Sequence, residues 1–302
     1  MTKNIAIAAA ALSGCINTTN PQPTPQNPPA SVKYLCVGME TSKRFGSCPG
    51  CQKDAERMAH LMSKDFGYAG DTLISSQATK AAVVSKLKEG IEATPEYGLF
   101  LFFYSGHGGQ ERLGGAEPTG ADKDDEYLCL YDTHMLDDEI WSIVSKCKGR
   151  VFLYFDACHS ATMYRSVASE LKVGGFKPGD NQVTLSMNPD GTLAMAMSAN
   201  DLVKSKGFTF SPDKFAKATA KGTDNAPSPR ILCWSGCAES EYSYGSNLGG
   251  TLTNGVMAYW KKGRSYDDVW KDVCEYVKRS EPTQNPVSTY VGGFPKGLEA
   301  FK

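Results

Sequence analysis

Two short stretches of this chain end in side chains able to react together. Leu101–Gln110 reads LFFYSGHGGQ and carries His107; Val151–Ser160 reads VFLYFDACHS and carries Cys158. A free thiol titrates near 8.5, so little of it is thiolate at neutral pH. A neighbouring imidazole raises the thiolate fraction and can later hand a proton to a leaving amine. Gly106, Gly108 and Gly109 surround the histidine, and side-chain-free positions allow close backbone approach. Singly, a buried histidine or a core thiol would explain either residue. Together, at the ends of two matched runs, they point to nucleophilic catalysis.

The runs themselves say how the pair is positioned. Both are rich in Phe, Tyr and Val and too short for ordinary helices, so they read as buried strands. If they are neighbours in a parallel sheet, their C-terminal ends lie side by side. Alternation puts Asp156 on the same strand face as Cys158, which sets a carboxylate beside the nucleophile. An anionic pocket selects a cationic substrate residue.

Taken jointly, Tyr104-Ser-Gly-His-Gly108 and Asp156-Ala-Cys-His-Ser160 resemble the metacaspases, the caspase-like cysteine peptidases. The two reactive residues are 51 positions apart (158 − 107), and caspases place their histidine about 50 residues before the cysteine. The likeness continues at Val32–Met39 (a first strand), Cys51-Gln-Lys-Asp54-Ala55, Asp137-Asp138-Glu139, Ser235-Gly236-Cys237-Ala238 and Gly249–Trp260. It implies an α/β caspase-like sandwich and a cysteine endopeptidase acting through His107 and Cys158. The backbone N–H groups of Gly108 and Cys158 would form the oxyanion hole. Asp54, Ser105 and Asp156 match positions that bind Arg or Lys before the cleaved bond. A rival reading of Asp54, a carboxylate stabilised at a helix N-terminus, stays open.

The resemblance also implies calcium, with ligands from Asp124 and Asp125 together with Asp137 and Asp138. A solvated acidic loop (Asp122, Asp124, Asp125, Glu126) followed by helix N-terminal acids is the alternative. Arg165 stands about where relatives carry a further acidic ligand. Leu130-Tyr131-Asp132 and Glu239-Ser240-Glu241-Tyr242 also depart from the family pattern, at positions bordering the groove in relatives.

The rest of the chain alternates strand and helix signals. Helical spacing marks Lys53–Phe66, Lys80–Ile91, Asp137–Cys147, Asn254–Lys262 and Tyr266–Lys278; strand signals mark Thr72–Ser75, Gly98–Tyr104, Arg150–Asp156 and Arg230–Trp234. This order predicts a mostly parallel central sheet with helices on both faces, and ligands in such sheets bind at the carboxyl ends of the strands. Residues 31–302 form the expected catalytic domain: 31–164 large-subunit-like, 230–302 small-subunit-like. Residues 165–229, rich in Gly, Ser, Asn, Lys and Pro, read as an intersubunit linker. Lys172, Lys177, Lys204, Lys206, Lys214, Lys217 and Lys221 are its candidate self-cleavage sites.

Residues 1–30 stand apart. A short apolar stretch, Ile5–Leu12, leads into Leu12-Ser13-Gly14-Cys15, which looks like a bacterial lipobox, and a proline-rich tether comes next. Export with a lipid anchor at Cys15, on the bacterial envelope, is one expectation; a disordered tail on a cytoplasmic protein is the other. The formal net charge of −1 offers nucleic acid no attraction, no apolar run has transmembrane length, and a monomer without an organic cofactor is expected. Among the ten cysteines, Cys48-Pro49-Gly50-Cys51 reads as a redox motif or a structural or regulatory disulfide. A thiol–disulfide oxidoreductase and a non-proteolytic caspase-fold interaction module are therefore the alternatives to the peptidase.

Overall fold

The computed structural model describes residues 31–112, 124–158, 184–187, 193–196, 229–238 and 242–301; at 110–112, 124–125, 158, 184–187 and 193–196 it describes the backbone alone. The Cys15 segment, Asp122, His159, Arg165 and the lysines from Lys172 to Lys221 lie outside the described residues. Along the chain run β1 (Val32–Gly38), α1 (Cys51–His60), β2 (Ala69–Ile74), α2 (Lys80–Glu92), β3 (Leu99–Arg112), β4 (Asp124–Cys129), β5 (His134–Leu136), α3 (Asp137–Val144) and β6 (Arg150–Cys158). Then come β7 (Thr184–Met187), β8 (Leu193–Ala196), β9 (Arg230–Ser235), β10 (Gly245–Ser246), β11 (Gly249–Gly250), α4 (Thr251–Tyr259), α5 (Tyr266–Ser280) and β12 (Val287–Val291).

The central sheet has the order β12-β9-β6-β3-β1-β2. All neighbours pair in parallel except the edge strand β12, which runs antiparallel to β9. A parallel sheet buried on both faces needs apolar residues at consecutive positions, and Leu99–Tyr104 and Val151–Phe155 supply them. Alternation sorts these residues into two layers. Phe100, Phe102, Tyr104, Leu153 and Phe155 pack with Val83, Leu87 and Ile91 of α2 and Ile140 and Val144 of α3. Leu99, Leu101, Phe103, Phe152, Tyr154 and Trp234 pack with Ala55 and Met58 of α1, Leu252 and Val256 of α4, and Val269, Val273 and Val277 of α5.

The helices begin and end where their sequences direct. Thr79 caps α2 by accepting from the Ala82 N–H at 3.3 Å, and Ser265 caps α5 by accepting from the Asp268 N–H at 3.1 Å. In α5, Asp267 and Asp268 occupy the first turn and Lys278 and Arg279 the last, each sign facing the favourable end of the helix dipole. The helix expected over 53–66 is two pieces: α1, then a π-helical turn at Leu61–Asp65. The helix expected at 254–262 starts and stops three residues earlier, because extended Gly250 forms its N-cap and Trp260 leaves the helix for the aromatic core.

The largest departure from expectation is β3. It does not stop at Tyr104 but continues to Arg112, changing partner on the way. His107 is its last residue paired with β6, and Gly108 its first paired with β4, in antiparallel register opposite Leu128. The β4–β5 hairpin and the edge strand β12 lack a long apolar run of their own. Within the expected linker the backbone forms a two-stranded antiparallel pair, β7–β8.

Candidate active site

The β3–β6 register sets Ser105 opposite Asp156 and His107 opposite Cys158. These four residues continue the row that begins as Leu101, Phe103, Phe152 and Tyr154, so one sheet face turns from apolar to reactive at its carboxyl end. Tyr104, pointing to the other face, fixes the point of change: its hydroxyl lies 2.7 Å from the carbonyls of both His107 and Cys129. The glycines around the histidine have an internal reason. A Cβ at Gly106 would meet the Tyr104 hydroxyl and Met39, and one at Gly109 would meet the Tyr127 ring. Gly106 and Gly109 therefore have a packing role within the fold as well.

His107 is buried, and its Nε2 lies 3.1 Å from the backbone carbonyl of Ser47. A carbonyl only accepts, so Nε2 carries a proton in this contact, and when the ring is neutral its lone pair is on Nδ1. That tautomer can take a thiol proton. The Ser47 carbonyl thus orients the His107 ring, and no sequence motif marks it because its backbone makes the contact. Ser47 precedes Cys48, which is joined to Cys51 by a disulfide that ties the loop to the first residue of α1. The Cys48 N–H also donates to the Glu40 carbonyl at 2.9 Å.

Beside the dyad lies a pair of fully buried carboxylates. Asp54 of α1 accepts from the Ser105 hydroxyl at 2.9 Å, the Gly250 N–H at 2.8 Å and an Arg57 Nη2 at 2.6 Å. Asp156 of β6 accepts from the Ser243 hydroxyl at 2.9 Å and the Thr253 N–H at 2.8 Å. The first turn of α4 therefore aims at the pair, the arrangement a helix N-terminus offers to anions. Burial nevertheless wins. Desolvation and then the Asp156 charge raise the Asp54 carboxyl to about 7, against the Gly250 N–H and Arg57, which lower it. Asp156 is also raised, by desolvation, against its bonds to Thr253 and Ser243. Gly249 and Gly250 are there because nothing larger fits: a Cβ on Gly250 would strike the Asp156 carboxylate, and Gly249, at φ +108°, would strike Asp54 and Arg57.

The structure thus brings Asp54, Ser105 and Asp156 together, as the sequence expectation required, and adds Arg57, Ser243, Thr253 and the Ser47 carbonyl. Asp54 also sits in the first turn of α1, the position its rival reading required, although burial raises its carboxyl there. Of these additions, only Arg57, three residues after Asp54 on one helix, carried a sequence signal.

The acidic positions are less tightly grouped. Asp137 is buried at the start of α3, and its Oδ1 accepts from the Asp138 N–H at 3.0 Å. Among the described residues no group of three or more His, Cys, Asp or Glu side chains could hold a metal ion. The side chains of Asp124 and Asp125 lie outside the described residues, though their backbone belongs to β4, which runs antiparallel to β5 with Tyr127 opposite Leu136. The start of β4 and the start of α3 therefore share one end of the hairpin.

Comparison with known proteins agrees with this layout. A crystal structure of a Geobacter sulfurreducens protein superposes with a TM-score of 0.61 at 24% identity, covering 90% of this chain and 98% of that one. Metacaspase-1A of Aspergillus fumigatus is 28% identical over 254 residues, 75% of this chain and 59% of its own length; Metacaspase-1 of Ajellomyces capsulatus is 28% identical over 254 residues, 75% of this chain and 68% of its own. The chain thus spans 59% of the length of the Aspergillus relative. The family described as Caspase domain (Peptidase_C14) matches residues 35–291. Because that match runs from inside the first strand to the last residue of the edge strand, and so takes in the whole caspase-like α/β sheet, the chain belongs to the caspase-domain family.

Proposed function

We propose that the protein is a cysteine endopeptidase that cleaves after Arg or Lys. The observation that carries this reading is the β3–β6 register: the dyad positions 107 and 158 are paired, and one step inward the pocket positions 105 and 156 are paired. His107, its tautomer set by Ser47, takes the Cys158 proton. The thiolate attacks the scissile carbonyl, and the resulting oxyanion is received by the backbone N–H groups of Gly108 and Cys158. Imidazolium returns the proton to the leaving amine, a thioester remains, and water activated by the same imidazole hydrolyses it. Asp156 and Asp54, backed by Ser105, supply the negative charge that a substrate guanidinium or ammonium seeks.

Calcium activation is part of the proposal, with the shared end of the β4–β5 hairpin as its support; no chemical step is assigned to the ion. Self-cleavage between β6 and β9 follows from the lysines there and the basic specificity. A lipid anchor at Cys15 follows from the lipobox-like residues alone. Thiol–disulfide exchange at Cys48 and Cys51 has less support. Both residues are buried, whereas exchange needs a sulfur open to an attacking thiolate.

Hydrolysis of reporter peptides ending in Arg, Lys or Asp tests the reading, with wild type, Cys158→Ala and His107→Ala compared. Wild type should release product from Arg and Lys reporters only, and both variants should lose several orders of magnitude, since base and nucleophile act as a unit. Preference for Asp, or full activity in Cys158→Ala, would refute it.

A further inference from the structure

We infer that Arg57 is a specificity-determining residue: its guanidinium is the resident counter-cation of the Asp54–Asp156 pair and leaves the ionised pair with one uncompensated negative charge. The inference rests on the reading of that pair as the specificity pocket. It concerns a residue to which neither the dyad nor the pocket motif assigns a part.

Arg57 differs from an ordinary surface ion pair. Its side chain is 31% exposed, but the carboxylate it meets is wholly buried. The same Nη2 lies 2.8 Å from the Asn254 Oδ1, and the Asn254 amide nitrogen donates to the Gly249 carbonyl at 3.4 Å. The guanidinium is therefore clamped between α1 and the start of α4, over the carboxylate pair. An exposed pair contributes little; loss of one partner of a buried charge leaves the other uncompensated.

The charge balance then defines the ligand. Above the raised Asp54 value of about 7, two ionised carboxylates and one guanidinium leave a net charge of −1; below it the pair holds a proton and the cluster is neutral. No other charged group faces the pair from the described elements around it. Tyr154 of β6 and Tyr34 and Cys36 of β1 are held neutral by raised pKa values, through desolvation in each case. The β10–β11 residues and α4 carry no side chain that is charged at neutral pH. Lys53 turns away to the Asn247 carbonyl. His107 lies farther along the strand, at the dyad. A single substrate cation completes the balance, a neutral side chain leaves it incomplete, and an anionic one makes it worse.

Without Arg57 the pair would keep its proton to higher pH, and at neutral pH the substrate cation would have to displace it. The pH range over which the cation binds would move up. Arg57→Gln and Arg57→Lys, compared with wild type from pH 6 to pH 9 on an Arg-terminated reporter, test this. The ratio of kcat/KM, variant to wild type, should fall about tenfold at pH 7 for the Gln variant, the equivalent of one pKa unit. It should recover toward one at pH 9, with KM carrying the change, and Arg57→Lys should restore most of it. Alkylation of Cys158 by uncharged iodoacetamide should proceed at the wild-type rate in both variants. A ratio that stays flat with pH, or an equal fall in alkylation rate, would overturn the role of Arg57 while leaving the pocket intact. If wild type alkylates at Cys158 yet cleaves neither Arg nor Lys reporters, the pocket assignment fails and Arg57's role with it.

Discussion

Asp54→Asn should change the sign of its effect on stability between pH 4 and pH 8. In the folded protein the Asp54 carboxyl is raised from 3.8 to about 7, chiefly by burial and by the neighbouring Asp156. Between those two values the native state holds a proton that the unfolded chain has released, so native stability is present at low pH and is lost as pH rises through the folded value. Each pKa unit corresponds to about 1.4 kcal/mol, so the wild type loses up to about 4 kcal/mol between pH 4 and pH 8 on this account. An asparagine carries no such cost. It does lose accepting capacity toward Arg57, Ser105 and Gly250, and one mispaired buried donor costs about 1–2 kcal/mol. At pH 8 the variant should therefore be more stable than wild type by about 2–3 kcal/mol, near pH 5 about equal to it, and at pH 4 less stable by about 1 kcal/mol. Urea unfolding at four pH values, in a Cys158→Ala background to prevent self-cleavage, measures these differences. Other groups that titrate in this range cancel in the difference, except Asp156, whose carboxyl the variant frees from the Asp54 charge. Parallel stability curves for the two proteins would refute the argument, because they would mean that Asp54 is ionised at pH 5 like any exposed carboxylate.

Three further outcomes are expected. Cys48→Ala with Cys51→Ala should lower kcat about tenfold by loosening the Ser47 carbonyl that sets the His107 tautomer, and should cost about 2 kcal/mol of stability by the loop-entropy estimate; an unchanged kcat would separate the disulfide from the site. A calcium chelator should stop activity, and Asp138→Ala should mimic it. Full activity in excess chelator, with a damaging Arg165→Ala, would instead assign the place of the ion to the arginine. Wild-type protein, but not Cys158→Ala, should convert with time into two associated fragments, cut at a lysine between Lys172 and Lys221, and mass spectrometry showing identical fragments in both would refute self-processing.

The parts of this architecture that sequence made legible are those carried by periodicity. Alternation of side-chain direction along Leu99–His107 and Val151–Cys158 is what sets Asp156, Cys158, Ser105 and His107 on one face, and the apolar rows of α2 and α5 announce their own packing. What stayed hidden depends on contacts distant in sequence. The continuation of β3 past Tyr104 is decided by a partner, β4, that has no long apolar run. The Ser47 carbonyl acts through the backbone, where every residue type looks alike. Thr253 and Gly250 reach the carboxylates because α4 starts at Thr251 with Gly250 as its N-cap, a boundary that propensity places three residues too late. Arg57 was visible as a helical neighbour of Asp54, but its weight comes from the burial of its partner, which only the folded packing decides.

The junction between β6 and β9 has a wider consequence. Six residue pairs, Arg150–Phe155 with Arg230–Ser235, join the portion of the chain before residue 159 to the portion after residue 229, and the Phe152 and Trp234 rings meet across it, edge to face, at 5.0 Å. The earlier portion supplies His107, Cys158 and both carboxylates; the later one supplies Ser243, Thr253 and Gly250, which hold those carboxylates in place. The protein is therefore divisible in principle but not in function. Made as two separate polypeptides, each portion would present half of a core and half of a pocket, and catalysis would report their reunion. Activity in a mixture of the halves would be an assembly signal, limited by whichever half is scarcer, and the severed enzyme would behave as a complementation pair.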